Sequence, residues 1–377
     1  YTKVSQLSVT SDNQLIDLHA NLSVAPSQLA QSMAAVVKSA AEQKGVAVPA
    51  GLENVSVCET SKKIAQSLIE GEKRAIFLGN VATQSGQATQ LHLLAQELGK
   101  LVGATVGFLG EGANVVGGHA GWALPNGANA RTMFEQPLKA YVLLALEPEF
   151  DCANPQSAMA ALKQASLVVQ MSAFKSAAAF EYADVMLPVA PYTETSGTFI
   201  NIEGRIQSFN GVVKPRGEAR PAWKILRVLG NVLNLDGFSY ETSEAVRDEI
   251  LGKGTEFVAG LDNGLNGVQI SLPALSDGLQ RIADVPINFA DSMSRRSPAL
   301  QQTADSAAPL AKMNEATLVQ LGLSSGAQVR VKQGAGEAIL ATKADNSVPL
   351  GCVRVAAAHP STVMLGEMFG SISVERA

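Results

Sequence analysis

Cysteine is scarce: Cys58, Cys152 and Cys352 are the only three in 377 residues. They are widely separated and form no C-x-x-C or other paired spacing, so the four thiolates of an iron–sulfur cluster or an all-cysteine zinc site cannot come from them. Each stands among Ala and Val, where the plainer reading is a small buried hydrophobe. An odd number of scattered thiols also suits a reducing compartment. Charge is scarce as well, at 17% of residues, with 29 Lys and Arg against 34 Asp and Glu and a net charge of -5. Nothing basic is left over to displace counterions from a phosphate backbone, so nucleic acid is not expected as a partner. Long apolar runs are missing too. The stretch Ala140 to Leu146 (AYVLLAL) falls far short of the roughly 20 residues that span a bilayer, so direct membrane insertion is not expected. The sequence starts at Tyr1 with no charged segment followed by an apolar one, which fits a fragment without a signal peptide.

Several catalytic signatures are also absent. Gly79, Gln84 and Gly86 satisfy neither the G-x-G-x-x-G nor the G-x-x-x-x-G-K-[ST] phosphate pattern. No G-x-S-x-G elbow supports hydrolase chemistry, and there is neither an H-E-x-x-H pair nor an EF-hand loop. His119 has no second histidine near it, and a lone His359 before Pro360 is more simply a structural residue.

What is present is a hydrophobic share of 46% and 33 glycines in a chain long enough for two or three domains. Leu29, Met33, Val36, Val37 and Ala40 recur at helical spacing behind Pro26, which suits a first turn. AIFL at Ala75–Leu78 then reads as a strand, followed by Gly79 and a helix with Leu91, Leu94, Ala95, Leu98 and Leu101 on one face. The pattern repeats at Tyr141–Leu146, with Asn154 as a helix cap, Pro155 behind it and LVVQ at Leu167–Gln170, and a further strand falls at Asp184–Val189. Continuous apolar strands separated by amphipathic helices predict an α/β fold with a doubly wound, mostly parallel sheet. The domain reading is a partial α/β segment over 1–70, cut at its N-terminus, an α/β domain over 71–250 and a Gly- and Asn-rich linker or excursion over 251–294. Alternating AQVRV, AILAT and CVRV, with turn residues Gly334, Gly336, Asn346 and Gly351, then predict a small C-terminal β-barrel over 295–377. The helix at Pro221 is expected to bury Ile225, Leu226 and Leu229, and a short helix is expected from Asn314 to Gly322.

Several blocks carry a family resemblance: AIFLGNVATQSGQATQ, LGKLVGATVGFLGEGANVVGG, ADVMLPVAPYTETSGTFINIEGRIQ, the helix around Trp223, SPALQQTAD and LGLSSGAQVRV. The resemblance runs through these blocks over about two-thirds of the chain. The third block places Asp184, Pro188, Glu194, Gly197, Asn201, Glu203, Arg205 and Gln207 at the spacing of molybdopterin-dependent oxidoreductases, so the chain resembles the formate dehydrogenase and DMSO reductase type. Within that superfamily it looks like the C-terminal region of the G subunit of the bacterial proton-translocating NADH:quinone oxidoreductase, complex I. Catalytic relatives carry Gly, an acidic residue, and Asn or Asp before Pro after the strand that here ends at Leu146. This chain has Ala145, Leu146, Glu147 and Pro148. A methyl group there obstructs close backbone approach to a cofactor. The molybdenum-ligating Cys or selenocysteine of catalytic relatives lies upstream of the matched region.

The resemblance implies a non-catalytic structural and assembly portion of the G subunit in the peripheral arm, part of an NADH:quinone oxidoreductase although itself inactive. Its partners would be the other peripheral-arm subunits and the N-terminal part of the same chain, on the cytoplasmic face of the bacterial plasma membrane. No cofactor is expected in these residues, while the full-length subunit would carry iron–sulfur clusters. A vestigial cofactor crevice is expected at the carboxyl ends of the strands, with Gly79, Asn114, Glu147, Arg205 and His359 as its candidate residues. No catalytic or metal residue is expected. The alternative is a pterin-binding fragment of a catalytic molybdenum oxidoreductase. Glu194, Glu203 and Arg205 could form a network that merely fixes their loop.

Overall fold

The computed structural model describes residues 2–252 and 261–377, so residues 253–260 of the expected linker lie outside it. The chain forms two compact units, one of residues 1–109 with 263–377 and one of residues 110–262.

The first unit opens with β1 (Ser5–Ser8) and β2 (Ala20–Ser23), paired in parallel. A 3-10 turn at Pro26–Gln28 leads into α1 (Leu29–Lys44), where the fixed φ of proline suits the first turn, and Gly45 ends the helix in the left-handed conformation at φ 64°. After α2 (Glu59–Glu70) come β3 (Ala75–Leu78), α3 (Asn80–Gln84), α4 (Ala88–Val102) and β4 (Thr105–Phe108). β3 and β4 are parallel neighbours joined through α4, a β–α–β unit. The stripe Leu29, Met33, Val36, Val37 and Ala40 of α1 is buried in one core with Leu91, Leu94 and Leu98 of α4. The helix packs so closely on β4 that a Cβ at Gly99 would lie 2.6 Å from Val106 Cγ2.

The second unit starts with short helices α5 (Val115–Ala120) and α6 (Ala130–Glu135). Its sheet is β5 (Ala140–Leu144), β6 (Leu167–Ser172) and β7 (Val185–Pro188), all parallel and in sequential order. The crossovers carry α7 (Pro148–Asp151), α8 (Pro155–Gln164) and α9 (Ala179–Tyr182). Asn154 caps α8 as expected, its side chain accepting from Ser157 N at 3.1 Å with Pro155 behind it. An antiparallel hairpin of β8 (Gly197–Ile200) and β9 (Ile206–Phe209) follows, then α10 (Ala222–Val232) and α11 (Ser243–Leu251). The expected burial of α10 differs: Leu229 is exposed, and only Gly230 is buried. The chain is thus α/β with parallel strands. In place of the single doubly wound sheet read from sequence, those strands form separate two- and three-stranded sheets among the described residues.

The C-terminal part of the first unit is a seven-stranded mixed sheet in the order β15-β10-β14-β11-β13-β12-β16. Its strands are β10 (Gln280–Ile282), β11 (Ala311–Met313), β12 (Gln328–Gln333), β13 (Gly336–Ala344), β14 (Cys352–Arg354), β15 (Phe369–Ser371) and β16 (Ser373–Arg376). Laid flat, such a sheet would hold its edges roughly 30 Å apart at about 4.8 Å per strand. Its two edge strands, β15 and β16, are separated in sequence by Ile372 alone. The sheet therefore curls enough to bring one end of each edge strand together, around Met313, Val329, Val331, Leu340, Val353 and Leu365, while β15 and β16 are not paired with each other among the described residues. Gln280–Ile282 belongs to the stretch assigned to a linker from sequence, yet it forms β10, paired on both sides. A three-residue strand is too short to display a period of two.

Arg281 on β10 is buried at 1% exposure. Its guanidinium donates to the carbonyls of Ala356, Gly366 and Glu367 at 3.1–3.2 Å and to Gln333 Oε1 at 3.0 Å, with Nε reaching Val355 O at 3.4 Å. Burial pushes its pKa down to about 10, so it stays charged at neutral pH. Nearby, Arg354 of β14 holds Asp12 at 2.7 Å and Asp284 at 3.3 Å, tying the loop after β1 to the curled sheet.

Candidate functional site

In open α/β sheets, ligands bind outside the carboxyl ends of the strands, and β5 ends at the residues that depart from the catalytic pattern. Ala145 extends the ladder by donating to Met171 O at 2.8 Å and then turns with φ 51°. A left-handed turn favours glycine because the Cβ crowds the backbone. The turn expected of a glycine is therefore present, but it carries a methyl group. Leu146 follows, its carbonyl accepting from Gln170 Nε2 at 2.9 Å. Glu147 then begins α7, with Pro148 at the first helical position.

Glu147 is only 3% exposed, too covered to present a carboxylate edge to a ligand. Its N–H donates to Asp151 Oδ2 at 2.7 Å, closing the turn on itself. Beside it Gln170 is 2% exposed and accepts from the Tyr182 hydroxyl at 3.4 Å. Burial first, then the charges of Glu149, Glu147 and Asp151, hold the Tyr182 phenol well above its ordinary pKa. Burial and the same acidic turn push the Cys152 thiol up to about 11, so it is protonated and unreactive at neutral pH. The end of β5 is a packed polar knot.

Ala145→Gly tests this turn. Releasing a left-handed alanine recovers about 1–2 kcal/mol, and the more flexible unfolded chain takes back about 0.4–1 kcal/mol. The variant is expected to gain about 0.5–1 kcal/mol in denaturant unfolding. A loss of stability would mean that the methyl group contributes packing that outweighs the strain.

Asn114 stands at the N-terminal end of α5 without capping it and instead reaches the β8–β9 hairpin, its Oδ1 accepting from Ile200 N at 2.8 Å. A Cβ at Gly117 would lie 1.9 Å from that oxygen, so the missing side chain at 117 is what lets Asn114 reach β8. Arg205 sits in the hairpin turn, where Asn201 Oδ1 accepts from the N–H groups of Glu203 and Arg205 at 3.1 and 2.9 Å. Its guanidinium is 3.8 Å from Glu203, and both side chains are exposed. Glu194 does not join them: its Oε2 accepts from Arg216 N at 3.0 Å. Gly197 lies within β8 rather than in a turn, and its role is to leave room for Phe209, whose Cζ would be 2.6 Å from a Cβ there. Asn114 and the strand leading to Arg205 are therefore brought together, while Glu147 belongs to the knot beneath β5.

Gly79 and His359 belong to the first unit. Gly79 precedes α3, its carbonyl accepts from Ala82 and Thr83, and a Cβ on it would meet nothing within 4 Å. His359 follows Ala358, which has φ 54°. Its ring packs on Phe289 with centroids 4.7 Å apart, and its Nδ1 faces Ser361 Oγ at 2.8 Å. Burial lowers its pKa, so it is neutral at pH 7. Among the described residues no group of three or more His, Cys, Asp and Glu could hold a metal ion.

One concavity was not expected from sequence, although Glu194 and Trp223 were singled out there for other reasons: an open cleft of about 720 Å³ in the second unit, lined by Glu194, Lys214, Arg220, Trp223, Lys224 and Glu244 among others. Lys224 lies over the Trp223 ring at 5.3 Å. Acids and bases are balanced along its wall, and no periodic signal in sequence marks segments that are mostly loop.

The structure is similar to acetylene hydratase from Pelobacter acetylenicus, with a TM-score of 0.70 at 14% identity over 99% of this chain and 73% of that one, a likeness of fold alone. In sequence the chain is 37% identical over 114 residues to a putative formate dehydrogenase of Staphylococcus aureus (strain MRSA252), covering 29% of this chain and 11% of that protein. It is 32% identical over 142 residues to one from Staphylococcus haemolyticus, covering 37% of this chain and 14% of that protein. The matched region thus spans a small part of the curated relatives. A family model described as molybdopterin oxidoreductase matches residues 33–232, more than half of the sequence, and the chain belongs to the molybdopterin oxidoreductase family.

Proposed function

We propose that this chain is a structural, non-catalytic part of a larger oxidoreductase subunit, of the G-subunit type, packed in the peripheral arm of a proton-translocating NADH:quinone oxidoreductase. The observation that carries this reading is the end of β5. The left-handed turn at Ala145 bears a methyl group, and the carboxylate of Glu147 is buried in α7 and its surroundings. These residues do not fit a pterin cofactor, whose approach needs bare backbone and accessible polar edges. Partner contacts with the other arm subunits and with the N-terminal part of the same polypeptide belong to this proposal, as do iron–sulfur clusters in that part and a place on the cytoplasmic face of the membrane. No described helix is long and apolar enough to cross a membrane.

The test is composition. The natural full-length polypeptide, purified from a host that makes molybdenum cofactor, is expected to contain iron but no stoichiometric molybdenum or pterin, and to copurify with NADH:quinone reductase activity. Stoichiometric molybdenum or pterin would replace this reading with a second one, a pterin-binding part of a catalytic molybdenum oxidoreductase. The similarity to putative formate dehydrogenases favours that alternative.

A further inference from the structure

Asn-Gly occurs four times in the sequence, and two of the pairs, Asn263 with Gly264 and Asn266 with Gly267, stand in one irregular segment. The segment re-enters the first unit at Asn263, and its Ile270 and Leu272 pack on the core of α1 and α4. Side-chain amides of α4 hold it at both ends. Gln96 Nε2 donates to the carbonyl and to Oδ1 of Asn263 at 3.2 and 3.1 Å, and Asn263 Nδ2 donates to Val106 O of β4 at 2.9 Å. At the other end Gln90 donates to Gln269 O at 3.2 Å and accepts from Ser271 N at 2.9 Å, as a neighbouring strand would. Asn266 and Gly267 lie between these clamps, exposed, with Gly267 at φ 73°. Among the described residues no hydrogen bond holds the Asn266 amide. Asn263 is exposed as well, so exposure does not separate the two asparagines, whereas their hydrogen bonds do.

We propose that Asn266 is a site of spontaneous deamidation in the folded protein, and that Asn263, with the same glycine after it, is protected by its amide clamp. A glycine has no side chain to obstruct its own backbone nitrogen, so that nitrogen can reach the amide of a preceding asparagine. The Gly267 nitrogen gives up its proton and bonds to Asn266 Cγ, the Cγ–Nδ2 bond breaks, and the amide nitrogen leaves with the proton as ammonia. Water then opens the resulting five-membered imide at either carbonyl, leaving aspartate or isoaspartate. The sum is one amide and one water converted to one carboxylic acid and one ammonia, with no change of oxidation state. At Asn263 the same route requires Nδ2 to leave Val106 O and Oδ1 to leave Gln96, so the clamp must open before the ring can close.

The experiment incubates the natural full-length polypeptide in mildly alkaline buffer, folded and in urea, and follows both positions by peptide mapping, with fragment ions between residues 263 and 266 assigning each event. In urea the two asparagines are expected to convert at rates within about threefold of each other, since each precedes a glycine. In the folded protein Asn263 is expected to convert at least about tenfold more slowly than Asn266, because its side-chain hydrogen bonds must break first. Gln96→Ala is expected to speed conversion at Asn263 and leave Asn266 unchanged. Equal folded-state rates, faster conversion at Asn263, or an Asn266 that converts in urea but not in the folded protein would overturn the proposal. A folded Gln96→Ala protein in which Asn263 stays as slow as in the parent would overturn the role given to the clamp. Should that variant fail to fold, the comparison of folded and urea-unfolded parent decides alone.

Discussion

Arg281→Ala is expected to destabilise the curled C-terminal sheet by about 3–5 kcal/mol. The guanidinium is buried and fans out to four carbonyls and the Gln333 side chain, drawn from β12, the strand end after β14 and the turn before β15. Alanine would remove the buried donor that these acceptors share, although Glu367 O keeps Gln333 Nε2 at 2.8 Å; each acceptor left unsatisfied costs about 1–3 kcal/mol, and the lost side chain opens a cavity. Arg281→Lys retains the charge but cannot spread its donors over a plane, so it is expected to recover less than half of the loss. The readout must be local, because both tryptophans, Trp122 and Trp223, lie in the other unit. Hydrogen exchange at β10 and β14 amides is the measure. Unchanged protection there in the alanine variant would show that the arginine fills space without holding the strands.

Gly230→Ala should have the second-largest effect, a loss of about 2–3 kcal/mol confined to the unit of residues 110–262. Gly230 is the buried position of α10, and a Cβ there would sit 2.2, 2.3 and 2.6 Å from three ring atoms of Phe238. An aromatic ring held between a helix and the segment that returns along it cannot withdraw as the tip of a flexible side chain would. The helix must therefore lift or the ring must leave. In an exposed helix the same substitution would stabilise by roughly 1 kcal/mol, so the sign alone separates the two cases. Trp223 stands two turns earlier on the same helix and reports the change in fluorescence-monitored unfolding. A Gly230→Ala protein as stable as the parent would mean that Phe238 does not rest on the helix.

These two positions mark the limits of what the sequence made legible. The parallel strands and their helices were readable because AIFL, AYVLL and LVVQ are continuous apolar runs, and because Asn154–Pro155 and Asn314 announce helix starts in their own chemistry. The left-handed turn at Ala145 was located by its departure from the catalytic pattern, although its conformation was not visible. Arg281 was unreadable: a charged residue inside a three-residue strand resembles a solvated loop, and only the curling of the sheet reveals that it is interior. Gly230 and Gly197 were equally silent, since the rings that require them, Phe238 and Phe209, are brought there by chain reversals without a periodic signal. Glu194, Glu203 and Arg205 formed a natural charge group in sequence. In space the first of them turned to a backbone N–H, which fixes a carboxylate better than an exposed arginine does.

The break at Ile372 has a consequence for how the polypeptide is made. Of these residues β15 and β16 are among the last to be translated, and they pair with β10 and β12 at the two edges of the sheet. The core around α1 and α4 likewise draws on Ile282, Val348 and Cys352, from beyond the whole of residues 110–262. Synthesis therefore delivers the pieces out of order. Residues 110–262 are contiguous and can complete their own core while the chain is still growing, whereas residues 1–109 emerge early and must wait for residues 263–377. During that interval the apolar stripe of α1 is the surface a ribosome-associated chaperone would meet, and a ribosome stalled just short of Phe369 would leave the curled sheet without both of its edge strands at once.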